Sequence, residues 1–254
     1  MSNVVPMFGP ESSDFASYMA QSEAQAKVLP ASAWRESLVE STRPQEDALG
    51  AKLPWAKTHD IIRLRPGEVS CWLGINGHGK SQLLGQVSMS LAAQGEPVCV
   101  ASFEMKPLVT LKRMLRQAAR NATPSEAMAG RLIDWLEGRY WFYDQQGTVT
   151  PHQVFKVIQY AADRLKCKHV IVDSLMKCVR GEEDRDGQKE FVDTVTALAR
   201  DLGIHIHLVH HVRKSEDESK MPGKFDARGS AAITDPVDNA VVVWRNNPTE
   251  RTIE

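Results

Sequence analysis

The sequence lacks the features that would place it in several large classes of protein. It has only four cysteines in 254 residues, Cys71, Cys99, Cys167 and Cys178, with no CxxC pair and no repeated spacing. Disulfide scaffolds and zinc ribbons need paired cysteines at set intervals, so these thiols read as reduced ones inside a cell. No apolar run approaches the roughly 18 residues that cross a bilayer, and the first residues lack the basic start and apolar stretch of a secretion signal. These absences predict a cytoplasmic protein with no membrane partner. Net charge is almost missing as well, because 31 basic side chains face 32 acidic ones and leave -1. The whole molecule offers no positive field to a polyanion, so any nucleic-acid contact has to come from local patches or from an assembly.

What is present fits a soluble domain of generous size with an appendage: 42% of the residues are hydrophobic and 25% charged. Residues 1–51 are rich in Ser, Ala, Gln and Glu. Within them Phe15, Tyr18, Met19, Ala24, Ala26 and Val28 line one side of an expected helix, and Trp34, Leu38 and Val39 line a second. This segment reads as an N-terminal arm. The composition changes at Leu53-Pro54-Trp55, and over 52–254 apolar runs of strand length alternate with helix-length segments. The expected strands are 68–73, 97–103, 140–143, 169–173, 204–209 and 239–244, and the expected helices are 80–94, 108–121, 124–137, 151–165 and 188–202. Strand and helix taking turns, with β-branched runs such as Val170-Ile171-Val172, predict an α/β fold with a mainly parallel twisted sheet covered by helices on both faces. The polar stretches 180–188 and 214–224 read as exposed loops.

Gly74-Ile75-Asn76-Gly77-His78-Gly79-Lys80-Ser81 fits G-x-x-x-x-G-K-[ST] between an apolar strand and a helix, the context the motif requires. Glycines let the backbone curl, so that successive N–H groups face phosphate oxygens at the positive end of the helix dipole. The expected nucleotide contacts are Gly74, Asn76, Gly77, His78, Gly79, Lys80, Ser81 and Gln82. In this set Lys80 supplies a point charge for the β- and γ-phosphates and Ser81 a hydroxyl for Mg²⁺. The His78 side chain is expected to point out of the loop into solvent. Val170-Ile171-Val172-Asp173 is an apolar strand ending in a carboxylate, suited to the same Mg²⁺ opposite Ser81. A hydrolase also needs a group that orients or deprotonates water at the carboxyl edge of a neighbouring strand, and Glu104, directly after the 97–103 run, is placed for it. In Ile204-His205-Ile206-His207-Leu208-Val209, alternation puts His205 and His207 on one face and Ile204, Ile206 and Leu208 on the other. No third metal ligand has a recognisable spacing. His210 or His211, at the strand's end, reads as a neutral polar group that reaches a γ-phosphate.

Taken together, GINGHGKS, Ala101-Ser102-Phe103-Glu104-Met105 with the basic helix that follows, VIVDSL, LVHHVRK and DARGSAAITDPVDNAVVVW resemble the RecA-like motor domain of hexameric replicative DNA helicases. The likeness is greatest to the Twinkle and phage primase-helicase branch, with DnaB-type enzymes further off, and it covers roughly 52–247. The resemblance implies ATP or another NTP with Mg²⁺ at Lys80, Ser81 and Asp173, Glu104 as catalytic base, and His211 as polar sensor. It also implies a ring of about six subunits on single-stranded DNA in a bacterial or phage-infected cell, and a possible primase domain or partner. The channel loops would be 176–188 and 214–229, with Lys177, Arg180, Lys214, Lys220 and Lys224 as cations and Arg228-Gly229-Ser230 as the last channel motif. The first loop departs from a basic channel, since Glu182, Glu183, Asp184 and Asp186 outnumber its cations. The arginine that a neighbouring subunit supplies in this family is expected beyond Glu254, which makes the chain a fragment of a longer protein. No zinc-binding cysteine cluster or primase-like carboxylate constellation stands upstream. The alternatives are a recombinase-like or signalling P-loop ATPase without helicase activity, and a small-molecule P-loop kinase, for which no arginine-rich lid is found.

Overall fold

A computed structural model of the chain describes residues 29–42, 50–181, 184–212 and 231–245. The chain divides into two units, Met1–Ala48 and Leu49–Glu254. In the first, a 3-10 turn (Ala31–Trp34) runs into helix α1 (Arg35–Ser41), and Trp34, Leu38 and Val39 are all exposed. The other expected arm helix, around Phe15 to Val28, lies outside the described residues, as do the loop cations Lys214, Lys220 and Lys224 and the motif Arg228-Gly229-Ser230.

The second unit is built on six parallel strands: β1 (Val69–Gly74), β2 (Val98–Ser102), β3 (Tyr140–Phe142), β4 (His169–Asp173), β5 (His205–His211) and β6 (Asn239–Val242). Their order across the sheet is β3-β2-β4-β5-β1-β6. Helices α2 (Lys80–Ala93), α3 (Pro107–Ala119), α4 (Glu126–Leu136), α5 (Pro151–Asp163), α6 (Arg185–Leu202) and the short α7 (Ala231–Thr234) complete it. The expected α/β sheet is therefore present, with each expected strand and helix shifted by at most a few residues.

Alternation along the strands separates two apolar layers. Val69, Cys71 and Leu73 of β1, Val170 and Val172 of β4, and Ile206 and Leu208 of β5 pack with Ile158 of α5 and Phe191, Val192 and Val195 of α6. On the opposite face Trp72, Val98, Val100, Ile171 and Val209 pack with Leu84, Val87 and Leu91 of α2, Met114 of α3, and Leu132 and Leu136 of α4. Both faces are buried, which is why the strands read as continuous apolar runs.

The stretch 180–188 is only partly a loop. Helix α6 begins at Arg185 because the Asp184 carboxylate accepts from the Gly187 N–H as an N-cap, and Asp186 stands in the first turn, where the helix dipole favours a negative charge. The acidic run that reads as a solvated loop is in part a helix start. Gln188 is buried there, and its Nε2 donates to the Gly181 carbonyl.

His205 and His207 share the Trp72 face, and His169 from β4 joins them in a buried polar patch at the amino-terminal side of the sheet. Trp72 Nε1 donates to His207 Nδ1 at 3.1 Å, so His207 carries its proton on Nε2 and passes it towards His169 Nδ1, 3.1 Å away. His205 Nδ1 lies 2.7 Å from the Arg65 carbonyl and donates to it, which leaves Nε2 to accept from Ser70 Oγ at 2.8 Å. Each ring is neutral, and burial lowers all three pKa values below 6.5. Among the described residues no group of three or more His, Cys, Asp or Glu side chains is arranged to hold a metal ion. The histidines are hydrogen-bonded core instead. Also among the described residues, no helix is long and apolar enough to cross a membrane.

Candidate nucleotide site

The carboxyl ends of β1, β2, β4 and β5 meet on one side of the sheet, and the motif residues meet with them. Gly74 ends β1 and Lys80 opens α2, so the loop between them spans the strand-to-helix reversal. Gly77 and Gly79 have φ of 83° and 92°, left-handed values that glycine adopts without a Cβ clash. A Cβ on Gly74 would collide with the Val243 carbonyl oxygen, because the chain leaving β6 runs directly against the loop.

A cleft of about 410 Å³ opens over the loop, lined by Asn76, Gly77, Gly79, Lys80, Ser81, Gln82, Glu104, Met105, Arg113 and His211. Most of the expected nucleotide contacts thus face a single space, together with Glu104 and His211, the candidates for water activation and γ-phosphate sensing. Lys80 Nζ donates to the carbonyls of Gly74 at 2.7 Å and Ile75 at 3.1 Å, so its charge is folded onto the loop. Ser81 Oγ donates to Asp173 Oδ2 at 3.0 Å. Asp173 Oδ1 is buried without a hydrogen-bond partner. Burial raises the pKa of this carboxyl, and the nearby Glu104 charge raises it further. A hydroxyl and a buried carboxylate with an orphaned oxygen form a hard oxygen donor set, and this set fits Mg²⁺.

Glu104 follows β2 and sits between two donors. His211 Nε2 lies 3.2 Å from Glu104 Oε1, and Ser174 Oγ donates to the same oxygen at 2.8 Å. The His211 bond is the largest cause, with Ser174 and the charges of His211 and Lys177 adding to it, of a Glu104 pKa lowered to about 2 against the opposing effect of burial. The two carboxylates of the site are thereby driven apart, Asp173 upward and Glu104 downward. His210, the other candidate sensor, is buried in the strand and does not line the cleft.

His78 departs from expectation. It is 7% exposed rather than turned to solvent, and its Nδ1 accepts from the Arg245 backbone N–H at 3.3 Å. The chain after β6 passes close enough to cover it, a long-range packing that no local pattern announces. Of the expected channel cations that are described, Lys177 is half-buried in a 3-10 turn (Leu175–Lys177) and acts on Glu104 through space, and Arg180 is exposed.

Sequence reasoning missed Met105, Arg113 and Ser174. Arg113 could have been found from helical spacing, since positions 106, 110 and 113 share a face of the helix that starts beside Glu104. Ser174 carried no such signal, because a serine after a strand ordinarily reads as a turn or cap residue.

A solved structure of a DnaB-like replicative helicase, described together with its interactions with primase, superposes on this chain with a TM-score of 0.69 and 14% sequence identity, over 93% of this chain and 63% of that one. At that identity the likeness establishes the RecA-like P-loop NTPase fold, and the chain spans a little under two thirds of the matched protein. The AAA domain family matches residues 41–217, well over half of the sequence and every strand of the sheet except β6. By that match and by its phosphate loop, the chain belongs to the AAA domain family.

Proposed function

We propose that the chain is the motor of an ATP-driven helicase that assembles as a ring of about six subunits, moves along single-stranded DNA and separates the duplex during replication. The observation that carries this reading is the meeting of Lys80, Ser81, Glu104 and His211 around one open cleft at the carboxyl edge of the sheet, with Asp173 hydrogen-bonded to Ser81. Loop N–H groups and the start of α2 bind phosphate oxygens, and Lys80 exchanges the Gly74 and Ile75 carbonyls for the nucleotide. Ser81 and Asp173 would hold Mg²⁺, which supplies charge neutralisation on the phosphates. Arg113, which carries no ion pair among the described residues, adds a second cation on the far wall of the cleft.

Glu104 positions the attacking water. A carboxylate held at about 2 by His211 and Ser174 is a weak proton acceptor. When His211 turns to the γ-phosphate, Glu104 loses the hydrogen bond that does most to lower its pKa and gains basicity as the nucleotide arrives. The loops 176–188 and 214–229 would contact the phosphates of the strand, which gives affinity with little base preference. A primase domain or protein would be the natural partner of such a motor.

The test is steady-state ATP hydrolysis with and without single-stranded DNA, for the wild type and Glu104→Gln. The reading expects DNA-stimulated turnover in the wild type, and in Glu104→Gln unchanged nucleotide binding with turnover reduced by about 10²-fold or more. Turnover indifferent to DNA would favour a signalling ATPase, and undiminished hydrolysis by Glu104→Gln would remove Glu104 from the chemistry.

A further inference from the structure

We infer that Ser174 is a positioning residue for Glu104, and that it ties this carboxylate to the segment following β4. The inference rests on the reading of Glu104 given above. Ser174 is fully buried between Asp173 and the 3-10 turn Leu175–Lys177. A serine before a helical turn ordinarily accepts from a backbone N–H of that turn. Here it makes no such cap, and its hydroxyl donates instead to Glu104 Oε1 at 2.8 Å.

The donation reaches across the sheet. Glu104 follows β2, Ser174 follows β4 and His211 ends β5, and these three strands are consecutive neighbours. Two donors from two strands therefore hold one oxygen of a side chain from a third. His211 lines the open cleft and can exchange its partner, whereas Ser174 is enclosed and keeps its own. Loss of the His211 bond then frees the carboxylate electrostatically without releasing it in space. Orientation of this kind is what separates a bound water from an attacking one.

The same connection carries Lys177, one turn further on, whose charge also acts on Glu104. Leu175 between them is buried, and Lys177 and Cys178 donate their backbone N–H groups to the Ser174 and Leu175 carbonyls. A strand of DNA that displaces this turn moves the hydroxyl that holds the carboxylate. Ser174 thus joins the segment 176–188, with which it is continuous in the chain, to the group that activates water, which it holds by a hydrogen bond. It provides a route by which DNA raises turnover without touching the nucleotide.

The experiment compares Ser174→Ala, Ser174→Thr and Ser174→Cys by nucleotide affinity, kcat with and without single-stranded DNA, and thermal midpoint. Ser174→Ala is expected to bind nucleotide within about twofold of the wild type and to lose roughly 3- to 10-fold in DNA-stimulated kcat, the effect of one positioning hydrogen bond. Ser174→Thr keeps the hydroxyl and is expected to regain most of the rate. If its extra methyl lowers the thermal midpoint, Ser174→Cys, a weaker donor of similar size, is expected to fall between serine and alanine. An alanine variant with kcat within twofold of the wild type overturns the inference. So do threonine or cysteine variants that fold and are no faster than alanine, and so does an affinity that falls in step with kcat, which marks a merely structural residue. Glu104→Gln measured alongside separates the two claims: if it hydrolyses normally, the parent reading fails, and if it is inactive while Ser174→Ala is not impaired, only this inference fails.

Discussion

Acid is expected to loosen the unit Leu49–Glu254 well above the pH at which ordinary carboxylates titrate, and the three buried imidazoles set the size of the effect. His169, His205 and His207 all have pKa values lowered by burial, and His205 lowers its two neighbours further through charge. In the unfolded chain each titrates near 6.5. The folded form refuses the protons that the unfolded form accepts, so stability is complete well above pH 6.5 and falls as the pH drops through it. Each site contributes at most about 1.4 kcal/mol per pH unit, and three together at most about 4 kcal/mol per unit.

The hydrogen bonds show why the folded form refuses them. A proton on His207 Nδ1 would face the Trp72 N–H, and a proton on His169 Nδ1 would face the His207 N–H. His205 is less constrained, because the Ser70 hydroxyl can turn to accept, and Glu68 and Asp238 favour its charge. Asp173 acts in the opposite sense, since its raised pKa lets the folded form take up a proton first and offsets up to one such step where it titrates. Two to three net protons remain, or about 3–4 kcal/mol per unit, against a total of about 5–15 kcal/mol for a domain.

The assay is urea unfolding at pH 7.5, 6.5, 6.0 and 5.5, followed by tryptophan fluorescence, for the wild type and His207→Gln. Stability is expected to begin falling between pH 7.5 and 6.5, by about 1 kcal/mol for three sites, and to fall steeply below pH 6.5, and the slope in His207→Gln is expected to be about one third smaller, whatever its absolute stability. A loss of less than about 1 kcal/mol between pH 6.5 and 5.5 would refute the reasoning.

Other outcomes follow from single side chains. Lys80→Ala removes the cation seated in the phosphate loop and is expected to weaken nucleotide binding by at least tenfold in calorimetry. Arg113→Ala is expected to cost about tenfold in nucleotide affinity as well, and equal affinity would remove it from the site. Asp184→Ala deletes the α6 N-cap and is expected to lower urea-unfolding stability by about 1 kcal/mol without changing nucleotide affinity. Changing Lys214, Lys220 or Lys224 to Ala is expected to flatten the salt dependence of single-strand binding by about 0.7 for each phosphate no longer neutralised, and an unchanged slope for all three would take them out of the DNA path.

The strands and helices of this fold were legible because both faces of the sheet are buried, so runs such as Val170-Ile171-Val172 carry no competing pattern. The phosphate loop was legible because its chemistry is local: glycines, a lysine and a hydroxyl in eight consecutive residues. Asp173 and Glu104 could be singled out because strand ends on one edge of a parallel sheet are brought together by topology. Sequence pattern failed where a partner comes from far along the chain. His78 is covered by the backbone near Arg245, His169 completes the hydrogen bonding of His207, and Ser174 turns to Glu104 rather than to its own helical turn. In the acidic run at 180–188 local composition was misleading, because Asp184 and Asp186 serve a helix start instead of a solvated loop.

Fluorescence anisotropy of labelled single-stranded DNA tests the central claim most directly, with the chain at concentrations that allow assembly and with no nucleotide, with ADP, and with a non-hydrolysable ATP analogue. The account predicts tight binding with the ATP analogue, weaker binding with ADP, and loss of the analogue-dependent gain in Lys80→Ala. Nucleotide bound with normal affinity while DNA binding stays the same in all three states would contradict the proposal that this cleft drives a DNA motor.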